Sequence, residues 1–207
     1  DWSRVHDVPV ALVTGTNGKS TTVRLAAAIG AAAGQVVGLS SSDWVKVGGD
    51  IVDEGDYSGP AGARLAVRDS RVELAVIETA RGGLMRRGLP LPRADACLIT
   101  NIAADHLGDY GINDVPALAD AKFLVARAVR PGGHLILNAD DPELVSRSAG
   151  FDGILSWFGL SIGVQDVARL QATGGHIAYV DNSVMMLAKD GETNAILAVN
   201  DFVPAMK

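Results

Sequence analysis

A glycine-rich loop at residues 15–21, between an apolar run and an alanine-rich segment, constrains the fold of this chain more than any other feature. The apolar run at residues 10–13 is short and continuous, which is typical of a buried strand. Residues 19–33 are rich in alanine, and Gly34 follows them as a helix stop. Strand, loop and helix in this order predict the first unit of an α/β fold.

Four further apolar runs have the length of buried strands, and helical patterns separate most of them. They lie at residues 36–39, 74–77, 96–99 and 135–137. The clearest later helix is predicted to begin near Asn113, with Pro116 in its first turn, and to end before residue 131. This alternation predicts a mainly parallel sheet with helices on both faces.

Two stretches depart from this alternation. Residues 40–60 are rich in serine, glycine and aspartate, which indicates a hairpin or loop that leaves the main sheet. After about residue 150 the strand-like runs become shorter, with turns near Asn182 and Gly191. We therefore expect a small antiparallel β appendage over residues 150–207.

The bulk properties argue against several classes of protein. The formal net charge is -6 and the sequence has no basic cluster, so no nucleic-acid partner is expected. The single Cys97 permits no disulfide within the chain, which fits a reducing cytoplasm. Because the sequence shows neither a charged-then-apolar leader nor an apolar stretch near ~18 residues, neither export nor a membrane location is expected.

The loop residues suit the binding of phosphate. Glycines let backbone N–H groups approach phosphate oxygens, and the following helix adds its positive end. Lys19 supplies a charge and Ser20 a hydroxyl for a metal ion. The common phosphate loop has its first glycine where Val13 stands here, so the alternative is a tight strand–helix turn with an exposed lysine. The predicted nucleotide-binding residues of the loop are Gly15, Thr16, Asn17, Gly18, Lys19, Ser20 and Thr21.

Polar side chains also follow later apolar runs, at the carboxyl edge where parallel sheets bind ligands. Glu78 offers oxygen ligands for Mg²⁺, or it is a solvated acid at a strand end. His106 is a candidate metal ligand, although a lone loop histidine is more often a structural hydrogen-bonding residue. Asn138 has the donor and acceptor geometry to bind an adenine edge, or it belongs to a helix cap before Pro142.

Three cationic side chains are candidates for substrate chemistry. Lys122 interrupts an apolar helix face that it shares with Leu118 and Val125. Because a buried ammonium is costly, either Lys122 extends to solvent or its amine is used, and a lowered pKa would let it react with CO₂. Arg81 and Arg86 could bind an acidic substrate or phosphate, or they lie on the surface.

Taken in order, four motifs resemble the central, ATP-binding domain of the Mur ligase family. They lie at residues 14–21, at 100–101 with 105–106, at 121–122 and at 138–141. Residues 55–60 and 78–89 are most similar to the Mur-ligase-like part of cyanophycin synthetases. The resemblance implies a phosphate-loop α/β fold and an ATP-dependent carbon–nitrogen ligase. In that reaction ATP phosphorylates a carboxylate, an amine attacks the acyl phosphate, and ADP and phosphate leave.

The resemblance also implies a role for each matching residue. Lys19 would hold the transferring phosphates, Ser20 and Glu78 would bind Mg²⁺, and His106 would join Glu78 at a second Mg²⁺. Lys122 matches a lysine that is carbamylated in many members, which would turn a costly buried cation into an anion beside the metal. Asn138 matches the residue near the adenine.

From the resemblance we expect residues 1–207 to form a central ATP-binding domain that is incomplete at its C-terminus, without the C-terminal ligase domain. The expected partners are a small-molecule or peptide carboxylate and an amino-acid amine, and homo-oligomerisation is left open. A folylpolyglutamate ligase, a peptidoglycan-precursor ligase and a nucleotide-binding module without ligase activity are the alternatives. Trp44 departs from the pattern, because relatives of cyanophycin synthetases tend to have glycine there.

Overall fold

Eleven strands form a single sheet across the residues that the computed structural model describes, 7–105 and 107–202. His106 therefore lies outside the described residues, and its predicted roles stay predictions. The strands are β1 Val10–Thr14, β2 Val37–Ser40, β3 Trp44–Val47, β4 Asp50–Glu54, β5 Leu74–Glu78, β6 Ala94–Ile99, β7 Val129–Asn138, β8 Ile154–Gly159, β9 Gly174–Asp181, β10 Val184–Lys189 and β11 Glu192–Ala198.

Helices connect most of the parallel strands. They are α1 Lys19–Ala32, α2 Pro60–Arg68, α3 Arg81–Arg87, α4 Val115–Phe123, α5 Pro142–Ser148 and α6 Val164–Gln171, with shorter 3₁₀ turns at Asp109–Gly111, Leu124–Ala128 and Val199–Asp201. Within the described part of the chain, no helix combines the length and the apolar character that crossing a bilayer would require.

The centre of the sheet is parallel and both of its ends are antiparallel. The strand order is β11-β10-β9-β8-β7-β6-β1-β5-β2-β3-β4. Every neighbouring pair from β2 through β5, β1, β6, β7 and β8 to β9 runs parallel. This arrangement confirms the mainly parallel α/β sheet and the small antiparallel part that the sequence predicts.

Both predicted departures from the sheet prove to be continuations of it. Residues 40–60 do contain a hairpin, β3 with β4, but β3 pairs antiparallel with β2 and so extends the sheet instead of leaving it. The antiparallel part near the C-terminus is smaller than expected, because β8 and β9 are still parallel and α6 supplies their crossover. Antiparallel pairing begins only where β10 returns along β9.

Helices cover both faces of the sheet, and the side chains of each strand alternate between the two faces. On one face, Val13 and Val76 pack with Val23 of α1. On the other, Leu12 and Ile77 belong to the larger core, to which α2 contributes Ala63 and Ala66. Helices on both faces are thus confirmed, and the core lies mostly on the side opposite α1.

The carboxyl ends of the parallel strands meet at one edge of the sheet. β1 ends at Thr14, β5 at Glu78, β6 at Ile99 and β7 at Asn138. Because α1 begins at Lys19, only a short loop separates the end of β1 from the first turn of the helix. Lys19, Glu78 and Asn138, three of the polar residues singled out in the sequence, therefore lie at this edge.

Candidate functional site

The loop between β1 and α1 is fixed by the segment that follows β6. The Thr16 backbone N–H donates to the Asn101 carbonyl oxygen at 2.9 Å. The Asn17 N–H donates to Asn101 Oδ1 at 3.0 Å, and Thr100 Oγ1 donates to the Asn17 carbonyl oxygen at 2.6 Å. Residues 100–103 thus hold the loop backbone in place before the helix begins.

Gly15 is the point of closest approach between these segments. Its φ of +142° is a conformation that L side chains rarely adopt. A Cβ atom at this position would lie 1.8 Å from Thr100 Oγ1 and 3.0 Å from the Thr100 nitrogen. Glycine is required here by both backbone geometry and space.

The first turn of α1 carries the side chains predicted to meet phosphate. Lys19 Nζ donates to the Thr16 carbonyl oxygen at 2.9 Å, so the ammonium lies against the loop. Gly18 precedes the helix in a left-handed conformation, with φ of 81°. Ser20 is half-buried and Thr21 is exposed. The alternative of a lysine that extends into solvent does not describe Lys19, because its ammonium folds back onto the loop.

Glu78 lies on the α1 side of the sheet and contacts the turn after β2. Glu78 is 2% exposed, and its Oε2 accepts a hydrogen bond from the Ser42 N–H at 3.2 Å. Ser42 Oγ shares a hydrogen bond of 3.2 Å with Ser20 Oγ. Ser42 therefore links Ser20 to Glu78. The rule that picked out Glu78, a polar residue after an apolar strand, also applies to Ser42 and would have found it.

Ser20, Ser42 and Glu78 together form a site that suits a divalent cation. No ion pair in the described part of the chain involves Glu78, and a buried carboxylate needs a compensating charge. A carboxylate and two hydroxyls are hard oxygen donors of the kind that Mg²⁺ accepts.

Lys122 approaches the loop from the opposite face of the sheet. It is 4% exposed, and its Nζ donates to the Gly15 carbonyl oxygen at 2.7 Å. The side chain therefore does not extend to solvent. Burial lowers the Lys122 pKa to about 8; the positive charges of Lys19 and Arg81 add to this shift, and Asp105 opposes it.

A cavity of about 220 Å³ opens beside Lys122 and the loop. Its lining residues are Thr16, Lys19, Ala80, Arg81, Gly82, Asp105, Leu118 and Lys122. Three of them are cationic and only Asp105 is anionic, so the cavity favours an anion. A larger cavity, of about 460 Å³ and lined partly by Phe123 and Phe151, carries none of the predicted site residues.

The two candidate arginines lie in different positions. Arg81 lines the cavity and forms an ion pair of 3.1 Å with Asp109. Arg86 Nε donates to the Gly82 carbonyl oxygen at 3.0 Å. Both guanidinium groups stack near the Tyr110 ring, 5.7 and 5.8 Å from its centroid. Arg81 can thus reach a ligand in the cavity, whereas Arg86 is on its flank.

Asn138 supports the segment after β6 by hydrogen bonds. Its Nδ2 donates to the Thr100 carbonyl oxygen at 3.0 Å, and its Oδ1 accepts from the Asp140 N–H at 2.9 Å. The helix cap after β7 is Asp141, which accepts from the Glu143 and Leu144 N–H groups and from the Ile102 N–H. These bonds support residues 100–103, a function that the sequence does not reveal.

The fold and the site define an α/β protein whose phosphate loop follows a central strand of a parallel sheet. The sequence model of the Mur ligase middle domain matches residues 13–192. The chain belongs to this family.

Cyanophycin synthetases are similar to this chain in sequence. That of Trichormus variabilis is 38% identical over 189 residues, and that of Crocosphaera subtropica is 42% identical over 180 residues. These matches cover 91% and 87% of this chain but 21% of each relative. The chain thus spans about a fifth of the length of the relatives it matches.

Solved structures share the fold. UDP-N-acetylmuramoyl-L-alanyl-D-glutamate-2,6-diaminopimelate ligase aligns with a TM-score of 0.70 at 16% identity, over 94% of this chain and 40% of that chain. A bifunctional folylpolyglutamate synthase/dihydrofolate synthase with Mn, AMPPNP and L-glutamate bound aligns with a TM-score of 0.62 at 20% identity. That alignment covers 90% of this chain and 48% of the other.

Replacing Gly15 by alanine tests the close approach of the loop. We expect Gly15→Ala to lower the free energy of unfolding by on the order of 3 kcal/mol, because the new Cβ must displace Thr100 and strain the backbone. Gly150→Ala is the matched control, since a Cβ there meets only the Arg147 carbonyl oxygen at 3.6 Å. Urea denaturation measures both, and equal small losses would contradict the account.

The lowered pKa of Lys122 predicts a pH-dependent contribution to stability. Between pH 8 and 10.5 the unfolded chain keeps the Lys122 proton while the folded protein has lost it, so stability rises with pH across this window. Relative to Lys122→Met, the wild type should gain up to about 3 kcal/mol between those limits and show no change from this group below them. Urea titrations at several pH values measure the difference, and a constant difference would show that Lys122 has an ordinary pKa.

Proposed function

We propose that this chain is the ATP-binding unit of an ATP-dependent ligase that joins a carboxylate to an amino-acid amine through an acyl phosphate. The observation that carries the proposal is the cavity beside the phosphate loop, which is lined by Lys19, Arg81 and Lys122. Phosphorylation of a carboxylate brings two anions together, and these cations lower that repulsion. Membership of the Mur ligase family and the similarity to cyanophycin synthetases support the same chemistry.

Nucleotide binding rests on the loop and the first turn of α1. The backbone N–H groups of Gly18 and of the first turn of α1 would contact the phosphates, because those of Thr16 and Asn17 already donate to Asn101. Lys19 would leave the Thr16 carbonyl oxygen to contact the transferring phosphate. Ser20 and Glu78, with Ser42 between them, would hold Mg²⁺, which supplies charge neutralisation at the phosphate oxygens. The folylpolyglutamate synthase with Mn and AMPPNP bound shares this fold, which supports the assignment.

The reaction breaks one bond and forms another in each of its two steps. A carboxylate oxygen attacks the γ-phosphorus and ADP leaves with the bond electrons. The amine nitrogen then attacks the acyl carbon, phosphate leaves, and a proton is lost from nitrogen. Arg81 would orient the acid substrate, because its guanidinium reaches the cavity from the start of α3, and Arg86 would support it through Tyr110.

We further propose that Lys122 reacts with CO₂. With a pKa of about 8, a fraction of the buried amine is neutral near neutral pH and can attack the CO₂ carbon, forming N-carboxylysine and releasing one proton. The carbamate would place an anion beside Lys19 and Arg81, two cations that now disfavour the Lys122 ammonium. The two remaining assignments, Asn138 near the adenine and His106 at a second Mg²⁺, belong to the same proposal.

The substrate class follows from the relatives and stays part of the proposal. Cyanophycin synthetases are the more similar relatives by sequence, so an amino acid added to a peptide carboxylate is favoured over folylpolyglutamate or peptidoglycan-precursor chemistry. Residues 1–207 would form the central domain, and the complete protein would supply the other side of the cleft.

Trapping the acyl phosphate tests the proposed function. The complete protein with ATP, Mg²⁺, hydroxylamine and a panel of amino acids and short acidic peptides should form a hydroxamate with at least one acid. Lys19→Ala should reduce the rate by more than about 100-fold, because it removes the cation that lies against the loop at the start of α1. Lys189→Ala, at an exposed lysine far along the chain, serves as the control. Nucleotide binding without hydroxamate from any acid would contradict the ligase assignment.

Carbon-13 NMR in labelled bicarbonate tests the carbamate. A carbamate resonance should appear in the wild type, grow as pH rises through about 8, and be absent from Lys122→Met. Lys189→Met should leave the resonance unchanged. A resonance that survives in Lys122→Met, or that never forms, would remove the carbamate and leave the nucleotide site untouched.

A further inference from the structure

The turn between β2 and β3, residues 41–43, is attached to helix α1 by an arginine. Arg24, on the second turn of α1, forms an ion pair with Asp43. The Arg24 guanidinium also lies over the Trp44 ring, 4.6 Å from its centroid. One arginine therefore holds both the last residue of the turn and the first residue of β3.

The Trp44 ring contacts two cations. Lys46 Nζ lies 4.3 Å from the centroid of the same ring, so Trp44 contacts a positive charge from α1 and another from its own strand. Trp44 Nε1 and Arg24 Nε are both buried without a hydrogen-bond partner among the described residues. Stacking and the ion pair to Asp43, not a hydrogen bond from the indole, thus keep these side chains together.

Backbone hydrogen bonds fix the turn on its other sides. The Ser41 N–H donates to the Trp44 carbonyl oxygen at 3.0 Å, and the Gly55 N–H donates to the Asp43 carbonyl oxygen at 2.8 Å. The Tyr57 N–H donates to the Ser41 carbonyl oxygen at 2.9 Å. The turn is therefore tied to α1, to the end of β4 and to the loop before α2.

The residue at the centre of this turn is Ser42, whose N–H and hydroxyl contact Glu78 and Ser20. We infer that Arg24 and Trp44 are positioning residues that set the geometry of the divalent-cation site formed by Ser20, Ser42 and Glu78. This inference rests on the proposed function. In the part of the chain that the structure describes, neither side chain hydrogen-bonds to Ser20, Ser42 or Glu78, so both act through the backbone of residues 42–44.

The position of the turn decides whether Ser20, Ser42 and Glu78 can share one cation. The Ser42 N–H orients a buried carboxylate that has no ion-pair partner among the described residues, and a small displacement of the turn would separate it from Ser20. Residues that orient metal ligands from behind commonly change metal affinity 10–100-fold when replaced. The neighbouring charges are Asp43, paired with Arg24, and Lys46, whose ammonium lies 4.3 Å from the centroid of the Trp44 ring.

Binding of AMPPNP to the 207-residue chain with and without Mg²⁺ tests the positioning role of Arg24 and Trp44. Calorimetry of the wild type should show tighter binding with Mg²⁺ than in EDTA. Arg24→Gln and Trp44→Ala should each reduce that Mg²⁺-dependent gain about tenfold or more while leaving the affinity in EDTA unchanged. Trp44→Phe keeps an aromatic face for both cations and should retain most of the gain.

Arg127→Ala is the matched control, because Arg127 is exposed and lines a different cavity. Arg24→Gln changes only a partly exposed helix residue, so it keeps the test valid if Trp44→Ala unfolds. An Mg²⁺-dependent gain in Arg24→Gln equal to that of the wild type would overturn the inference and leave the nucleotide site standing, and so would an equal gain in a folded Trp44→Ala. Binding of AMPPNP that Mg²⁺ does not strengthen would overturn the cation site and the inference. No binding of AMPPNP by the wild type would instead count against the proposed function.

Discussion

The contact between Gly15 and residues 100–103 is the constraint on which the rest of the site depends. The absence of a side chain at Gly15 admits Thr100, whose hydroxyl holds the loop at Asn17. The Gly15 carbonyl oxygen accepts a hydrogen bond from the ammonium of Lys122, which lies on α4. Asn138 supports Thr100 from the end of β7. Elements distant in sequence are thereby brought to one loop, and the sheet that aligns their ends makes this possible.

Opposite charges are separated across the sheet, and this separation gives the site its chemistry. Glu78 and the two serines lie on the α1 side, where the proposed divalent cation would balance a buried carboxylate. Arg81 and Lys122 approach from the helices on the other face. Phosphates that follow the loop would lie between them, with metal on one side and the acid substrate on the other. Burial lowers the pKa of Lys122, and the cations gathered there lower it further.

Much of this arrangement can be predicted from the sequence because it depends on local patterns. The apolar runs, the loop before α1, Glu78 at a strand end and Lys122 in an apolar face all follow from spacing and burial. The contacts of Asn138, Ser42 and Trp44 do not, because they join segments whose proximity is set by the order of strands in the sheet. The sequence analysis also did not predict the crossover through α6. Few residues of α6 are buried, and β8 includes the polar Ser156, so the apolar pattern is weak there.

A crystal structure of the chain with AMPPNP and Mg²⁺ tests the central claim most directly. We expect the γ-phosphate to contact Lys19 Nζ and to face the cavity that Arg81 and Lys122 line, with the metal between Ser20 and Glu78. The backbone N–H groups of Gly18 and of the first turn of α1 should contact the β-phosphate. A nucleotide bound elsewhere, for example in the larger cavity beside Phe123, with the loop empty and Lys19 still on the Thr16 carbonyl oxygen, would contradict it.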